Sequence, residues 1–418
     1  MAEVDRDRLI EDLQTLVRIR SITGSEEIVA DWAAGALQQL GLIVEMVRPY
    51  LAAIRTDPAW PGEEMPRTSL PVVVGRAGRP GGRRLILSGH LDVVPLGDPA
   101  TWTLDPWAGE IVDDRLYGRG ACDMKGGVAA ILAALRALGA SGDLTHLDGE
   151  LLVVLVPSEE DGGQGTLAAI RAGATGDMAI ITEPSRLDVV VAHAGAITFQ
   201  LIVPGRAAHA SQRREGVSAL DKLFVLTQAL AADEARRNDD ETDPLMTALG
   251  LPYPTIVGIV EGGEWASTVL DRVVAYGRYG ARLGQTPAAA EAELRAAIAA
   301  ACAEDEFLRE HPASIEITGG RFGSARVPAD HDLPVGLAEV VTSVTGRRPA
   351  LRAEPYGADM QMFVNHGGTP CVIFGPGDVR VAHAANEYVP IDEVEACARV
   401  LAAWVRGELG GEVGGRSA

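Results

Sequence analysis

The chain has 418 residues, of which 47% are hydrophobic and 23% charged, a composition typical of a soluble globular protein with more than one domain. Acidic residues outnumber basic residues by 58 to 37, and the resulting net charge of −21 disfavours binding to nucleic acid or to an anionic membrane surface. No apolar run reaches the ~18 residues that a membrane-spanning helix needs. The four cysteines show no paired spacing, which suits a cytoplasmic protein without a disulfide framework.

The first half of the chain alternates helix and strand patterns. The first 20 residues combine charge with an apolar stripe at helical spacing, which predicts a helix and not a signal peptide. Continuous apolar runs and helical periodicity alternate after it, as is typical of an α/β sheet covered on both faces. Helices are predicted at 25–40 and 126–138, and strands at 71–75, 84–87, 151–156 and 178–182.

The pattern changes near residue 194, where strands with alternating polarity and two helices follow one another. We therefore predict an α/β domain formed by residues 1–193 and 320–418, interrupted by a smaller α+β domain at 194–319. The glycine-rich tail from Gly410 is predicted to be disordered. The strands of the inserted domain are predicted at 196–203, 255–260, 273–282 and 314–318, and its helices at 218–232 and 287–302. Beyond it, helices are predicted at 332–345 and 391–409 and a strand at 369–374.

Two groups of polar residues stand close to predicted strands or helices of the first half. His90 and Asp92 follow the strand at 84–87 and share one face of an extended backbone, so the carboxylate can hold one ring nitrogen while the other faces a metal. Such a His-x-Asp pair is about as often an ordinary polar turn. Asp123 lies in a glycine-dense loop before a helix, where a helix N-cap is the alternative role.

Further acidic residues and a second histidine follow other strands or loops. Glu159, Glu160 and Asp161 come directly after one buried strand, Glu183 follows another, and His383 lies in a late loop. Three adjacent acids after a buried strand are costly unless cations lie nearby, although a solvated loop is the alternative. Because ligands bind at strand ends in an α/β sheet, we expect these groups to meet. Histidines with several carboxylates suit two adjacent metal ions; zinc is favoured, and cobalt or manganese also fits.

Five motifs, taken in order, resemble those of a known family. They are SGHLDVVP at 88–95, GRGACDMKGG at 118–127, SEED at 158–161, TEP at 182–184 and AHAANE at 382–387. Their order and spacing are similar, over nearly the whole chain, to those of the acetylornithine deacetylase, succinyl-diaminopimelate desuccinylase, aminoacylase and carboxypeptidase G family. The segment GGEW at 262–265 resembles the acetylornithine deacetylase-like branch.

The resemblance implies a fold and a metal site. The fold would be a zinc-aminopeptidase-like, three-layer α/β catalytic domain with an inserted α+β lid through which the protein forms a homodimer. Two metal ions would be bound, one by His90 and Glu183 and the other by Glu160 and His383, with Asp123 bridging them.

The resemblance also implies roles for residues beside the metals. Asp92 would orient His90, and Glu159 would be the general base that takes a proton from water and passes it to the leaving amine. His209, within the segment 205–211, resembles a histidine that reaches the active site of the partner subunit and stabilises the oxyanion there. A surface-loop histidine is the alternative.

Two residues are predicted to contact the substrate. Arg282 is the candidate for binding a substrate carboxylate, because a planar guanidinium suits one. The turn that follows it is shorter than in the family, so an exposed arginine at a strand end is the alternative. Gly377, in the glycine-rich loop before His383, is the second candidate.

The predicted reaction is metal-dependent removal of an N-acyl group from an amino acid or a related small amine. Cleavage of a dipeptide or of a carboxy-terminal residue is the alternative within the same chemistry. A non-catalytic metal-binding scaffold is the alternative of another class, and Glu159 argues against it because a scaffold needs no free carboxylate beside its ligands. A serine hydrolase is disfavoured by the lack of a Gly-x-Ser-x-Gly elbow near a plausible triad.

Overall fold

A computed structural model describes residues 3–410, so the predicted disordered tail beyond Gly410 lies outside the described residues. Strands in the first part of the chain are β1 (Ile43–Val47), β2 (Val72–Gly78), β3 (Arg84–His90), β4 (Glu110–Val112), β5 (Arg115–Tyr117), β6 (Glu150–Val156), β7 (Met178–Ile181) and β8 (Val189–His193). Its helices are α1 (Arg6–Arg18), α2 (Glu27–Gln39), α3 (Leu51–Arg55), α4 (Gly126–Ala140) and α5 (Gln164–Arg171).

A separate unit follows, which we call the lid (residues 195–322). Its strands are β9 (Gly195–Pro204), β10 (Thr255–Gly262), β11 (Arg272–Ala281) and β12 (Ser314–Phe322), and its helices are α6 (Ala219–Asp239), α7 (Pro244–Thr247), α8 (Pro287–Glu304) and α9 (Glu306–Glu310). The strands form an antiparallel sheet in the order β10-β11-β9-β12. Apolar residues on one face of this sheet, such as Phe199 and Leu201, are buried against α6 and α8. The other face is turned away from these helices.

The last part of the chain returns to the large sheet. It contributes β13 (Ala325–Arg326), β14 (Leu351–Glu354), β15 (Cys371–Ile373), β16 (Tyr388–Pro390), α10 (Asp332–Thr345), α11 (Met360–Gly367) and α12 (Ile391–Leu409). The large sheet has nine strands in the order β1-β2-β6-β3-β7-β15-β8-β13, with β14 beside β8, and β6, β3, β7 and β15 run parallel. A small three-stranded sheet is formed by β16, β5 and β4.

Alternating side chains of the central strands enter two different cores. Leu85 and Leu87 of β3 pack in the core that contains α4 and α12, whereas Ile86 packs in the core that contains α5 and α11. Helices therefore cover both faces of the sheet, and the predicted three-layer α/β architecture is confirmed. None of the described helices is long and apolar enough to cross a membrane.

Gly127 allows α4 to approach the end of β7. A Cβ atom at this position would lie 2.1 Å from the carbonyl oxygen of Thr182, and only a movement of the backbone can relieve that contact. We expect Gly127→Ala to lower the free energy of unfolding by roughly 3 kcal/mol, as measured by denaturant titration. Gly35→Ala is the control, because a Cβ on this residue of α2 meets no atom within 4 Å; it should stabilise the protein by about 0.5–1 kcal/mol. Equal stability of the Gly127 variant and the wild type would contradict this account.

Candidate active site

Three parallel strands bring polar residues to one edge of the large sheet. β3 lies between β6 and β7, and the register pairs His90 with Val156 and Ser88 with Ile181. The residues that follow each strand therefore emerge side by side. Glu159 and Glu160 follow β6, His90 ends β3, and Glu183 follows β7.

Asp123 lies between two histidines, in the tight turn that precedes α4. Its Oδ1 is 3.0 Å from Nε2 of His90, and its Oδ2 is 3.3 Å from Nε2 of His383. The same nitrogen of His90 is 3.5 Å from Glu183, and that of His383 is 3.1 Å from Glu160. Each oxygen of Asp123 thus faces a separate histidine–carboxylate pair, which is the geometry that a carboxylate shared by two metal ions requires. With Glu159, these residues form what we call the histidine–carboxylate centre.

Asp92 contacts His90 through its backbone. Nδ1 of His90 donates to the carbonyl oxygen of Asp92 at 2.9 Å, which leaves Nε2 to face Asp123. The Asp92 carboxylate lies 3.7 Å from Nδ1. It accepts hydrogen bonds from the backbone N–H groups of Glu159 and Glu160 at 3.2 Å each. Asp92 therefore positions the loop that carries Glu159 and Glu160 as well as the histidine.

The side chains of the histidine–carboxylate centre carry more negative charge than its histidines can neutralise. Burial raises the pKa of Glu159, and the neighbouring Glu183 raises it further. Burial and Asp123 likewise raise the pKa of Glu183. Burial opposes protonation of both histidines, but the carboxylates outweigh it, so the pKa of His90 rises and that of His383 rises to about 11. Two imidazolium groups cannot balance the four carboxylates of the centre, which favours occupation by divalent cations.

The donor atoms fit metal ions in type and in spacing. The ligand atoms of His90, Asp123 and Glu160 lie within 4.8 Å of one another, as do those of His90, Glu159 and Glu183. One oxygen of Glu160 is buried without a hydrogen-bond partner among the described residues. Imidazole nitrogen and carboxylate oxygen are common ligands of zinc and of similar divalent ions.

A cavity of about 540 Å³ lies between the histidine–carboxylate centre and the lid. Its lid wall is the sheet face turned away from α6 and α8. The lid residues on this wall include Thr198, Ile256, Ile259, Tyr276, Arg278 and Phe322. Arg278 is open to the cavity, although the surrounding protein partly desolvates its guanidinium and lowers its pKa.

The structure does not place the predicted substrate contacts Arg282 and Gly377 on the cavity wall. Arg282 lies one residue beyond β11, and its Nη2 is paired with Glu293 at 2.9 Å, so the alternative of a strand-end arginine describes it better. The N–H of Gly377 donates to Glu393 at 2.8 Å, and a Cβ on Gly377 would lie 2.7 Å from Sγ of Cys122. Neither residue offers a free group to a substrate in the cavity.

His209 also lies away from the centre of its own chain. Its side chain is exposed, its Nδ1 is hydrogen-bonded to Oγ of Ser211 at 2.9 Å, and it does not line the cavity. Any role in catalysis therefore requires a second subunit.

Glu387 positions the turn that carries Asp123, a role that we did not infer from the sequence. Its carboxylate accepts hydrogen bonds from the backbone N–H groups of Gly120, Cys122 and Asp123 at 3.0, 2.9 and 3.1 Å, and from Arg119 at 2.6 Å. It thus joins the loop of His383 to the turn of Asp123. Its position in the motif AHAANE was the sequence feature that could have indicated this role.

A buried ion pair also contacts the loop that carries Glu159 and Glu160. Arg67 donates to both oxygens of Asp161 at 2.9 Å and to Glu26 at 3.3 Å. The Asp161 carboxylate also accepts a hydrogen bond from the hydroxyl of Ser158. Arg67 lies in a segment without a periodic pattern, so no feature of the sequence indicated this contact.

Comparison with known sequences agrees with this geometry. The model of Peptidase family M20/M25/M40 matches residues 86–407. A succinyl-diaminopimelate desuccinylase of Paracoccus denitrificans is 30% identical over 345 residues, which cover 80% of this chain and 85% of that protein. An acetylornithine deacetylase of Myxococcus xanthus is 31% identical over 353 residues, which cover 82% and 85% respectively.

Solved structures share the fold at lower identity. An M20 family metallo-carboxypeptidase from Sulfolobus solfataricus has a TM-score of 0.73 at 18% identity, covering 96% of this chain and 99% of that chain. Human carnosine dipeptidase 1 has a TM-score of 0.71 at 19% identity, covering 96% of each chain. The resemblance inferred from the five motifs is confirmed. The family match, together with the relatives of about 30% identity, shows that the chain belongs to Peptidase family M20/M25/M40 and is an amide hydrolase.

Proposed function

We propose that the protein removes an N-acyl group from an amino acid or a related small amine with the help of two divalent metal ions. The observation that carries the proposal is the placement of Asp123, whose two oxygens face separate histidine–carboxylate pairs beside the buried Glu159. The names of the two relatives, a desuccinylase and a deacetylase, favour an acylated amino acid as substrate.

The residues divide into two metal sites. His90, Glu183 and Oδ1 of Asp123 would hold one ion, and His383, Glu160 and Oδ2 of Asp123 would hold the other. Zinc suits these ligands best, and cobalt or manganese also fits. Divalent ions bound there supply Lewis-acid activation of water and of the amide carbonyl.

Glu159 supplies the proton transfers that amide cleavage needs. Its carboxylate takes a proton from the water whose oxygen bonds to the carbonyl carbon, and it passes that proton to the nitrogen as the C–N bond breaks. Without this proton the leaving group would be a strongly basic amide anion. Asp92 holds the base in place, because its carboxylate accepts the N–H of Glu159.

We propose that the predicted division of the chain, with residues 194–319 inserted between 1–193 and 320–418, corresponds to a lid domain and a catalytic domain; the lid strands themselves run from residue 195 to residue 322. We also propose that the lid forms a homodimer. β10 is an edge strand of the lid sheet. Val260 of this strand and Phe224 of α6 are 51% and 59% exposed. An unpaired edge strand with exposed apolar side chains is the kind of surface that a second copy covers. Such a dimer would allow His209 to stabilise the oxyanion in the other subunit.

Removal and return of metal test the proposed reaction. Treatment with a chelator should abolish hydrolysis, and zinc or cobalt should restore it. The reloaded enzyme should then be assayed with N-acetyl, N-succinyl and N-formyl amino acids and with dipeptides, where we expect the largest kcat/KM for one of the acylated amino acids. A preference for dipeptides would replace deacylation by peptide cleavage. Turnover that survives complete loss of metal, or no turnover of any of these amides, would contradict the proposal.

A further inference from the structure

A second cavity, of about 410 Å³, lies where the lid meets the rest of the chain, and we call it the junction cavity. One of its walls comes from the segment 58–61 and from α11. The opposite wall is formed by the first turn of α8 and by Arg321 of β12 in the lid. The junction cavity shares no lining residue with the cavity of the histidine–carboxylate centre, so it is a separate candidate site.

Gln361 is the residue of the junction cavity whose hydrogen bonding is incomplete. It lines the cavity and is 2% exposed, and its Nε2 has no hydrogen-bond partner among the described residues. Buried amide groups are nearly always hydrogen-bonded, because a donor that has lost water without gaining a partner destabilises the fold. A ligand with an acceptor atom in the cavity would supply the missing partner.

The first turn of α8 adds a backbone donor to the same cavity. This helix has 18 residues, and Pro287 at its start has no N–H group. The N–H groups of Ala289 and Ala290 donate to the side chain and the backbone of Thr286. The N–H of Ala288 is therefore left without a partner within the described chain, at a helix end whose dipole favours negative charge.

Arg321 places a positive charge on the same wall. Its guanidinium lies 3.9 Å from the carboxylate of Glu291, a distance too long for a hydrogen bond. Glu291 is already paired with Arg295 at 2.7 Å. The cavity thus offers an amide donor, a backbone donor and a weakly paired guanidinium, and this set of groups favours an anion.

Apolar side chains complete the walls and indicate which kind of anion fits. Trp60 and Met362 line the junction cavity together with two prolines, Pro58 and Pro61. A carboxylate presents two acceptor oxygens to the donors, while its carbon skeleton contacts these apolar side chains. An inorganic phosphate ion has no apolar part and leaves them without a partner.

We propose that the junction cavity binds a small carboxylate and thereby holds the lid in its position over the histidine–carboxylate centre. The chain passes from the lid to the large sheet at Gly323 and Ser324, and both residues line this cavity. A ligand that contacts both walls binds one arrangement of them, so it stabilises that arrangement. The site lies outside the reaction, and the inference does not depend on the proposed deacylation.

Calorimetric titration of the metal-loaded protein with benzoate and with succinate tests the binding. Gln361→Leu removes a donor that has no partner in the folded chain, so the variant should fold and should raise the dissociation constant of this site at least about 10-fold. Gln38→Leu, on an exposed position of α2, is the matched control and should change nothing. A carboxylate held by the metal ions should be unaffected by either substitution.

Arg321→Gln keeps the inference testable if Gln361→Leu does not fold, because the side chain of Arg321 is 42% exposed. It should raise the same dissociation constant about 3- to 10-fold. Unchanged binding in the folded variants would overturn the inference. Tighter binding of inorganic phosphate than of either carboxylate would overturn the choice of ligand.

The position of the ligand and its effect on the lid need separate measurements. Crystals of the metal-loaded protein soaked in 4-bromobenzoate should show anomalous scattering from bromine beside Trp60 in wild type and not in Gln361→Leu. Bromine found only at the metal ions would overturn the site. Benzoate should also slow hydrogen exchange in the segment 321–326 of wild type alone. Equal exchange with and without benzoate would overturn the effect on the lid.

Discussion

Replacement of Glu159 by alanine should lower kcat about 10³-fold while both metal ions stay bound. The reason is that Glu159 moves protons in the proposed reaction, whereas Glu160 and Glu183 hold the ions. Steady-state kinetics and metal analysis of the same purified sample provide the measurement. Glu160→Ala is the contrasting variant, because it should lose metal together with activity.

Metal content also tests the assignment of Glu159 as the base. Glu159 lies close enough to His90 and Glu183 to be a ligand itself. Loss of one ion from Glu159→Ala would therefore assign it to the metal site. Activity like that of wild type would exclude it as the base.

His209→Ala should lower kcat about 10²- to 10³-fold with the metal content unchanged, because it removes one donor to the oxyanion. The exposed position of His209 outside its own cavity means that this effect depends on the dimer. Ser211→Ala is the matched control: it removes the hydroxyl that contacts Nδ1 of His209 and leaves the imidazole in place. Analytical ultracentrifugation should show a dimer at assay concentration.

Mixed dimers separate a role in the partner subunit from a local role. A subunit with His209→Ala retains Glu159, and a subunit with Glu159→Ala retains His209. A dimer of the two contains one complete active site, so mixing two nearly inactive proteins should restore part of the activity. Absence of recovery in dimers shown to be mixed, or full activity of a monomer, would contradict the role of His209 in the other subunit.

Long elements with a clear period could be predicted closely from the sequence. The helices at 332–345 and 391–409 have the observed bounds. β6 begins one residue earlier than predicted, and β11 is shifted by one residue at each end. The three-residue strands β4, β5 and β16 were not predicted, since so short a segment shows no period. β8 is buried throughout but pairs with late segments of the chain, and those pairings are not visible in local sequence.

The residues of the histidine–carboxylate centre could be predicted in greater detail than those of the cavity wall that the lid forms. Each expected metal ligand lies in a motif, and the structure brings all of them together around Asp123. Arg282 and Gly377 were chosen from local pattern, and the structure places both outside the cavity. Arg278 lies on a correctly predicted strand, but an alternating pattern cannot tell which face meets the catalytic domain.

By itself, the sequence determined the chemical groups of the centre and the strands that carry them, because a buried apolar run followed by histidine or carboxylate is a local pattern. Only the tertiary structure decided which distant groups meet. His90 and His383 approach the same carboxylate because the order of the parallel strands and the hydrogen bonds of Glu387 bring their loops together. The same holds for the lid, whose position over the centre places Arg278 in the cavity and leaves Arg282 paired outside it.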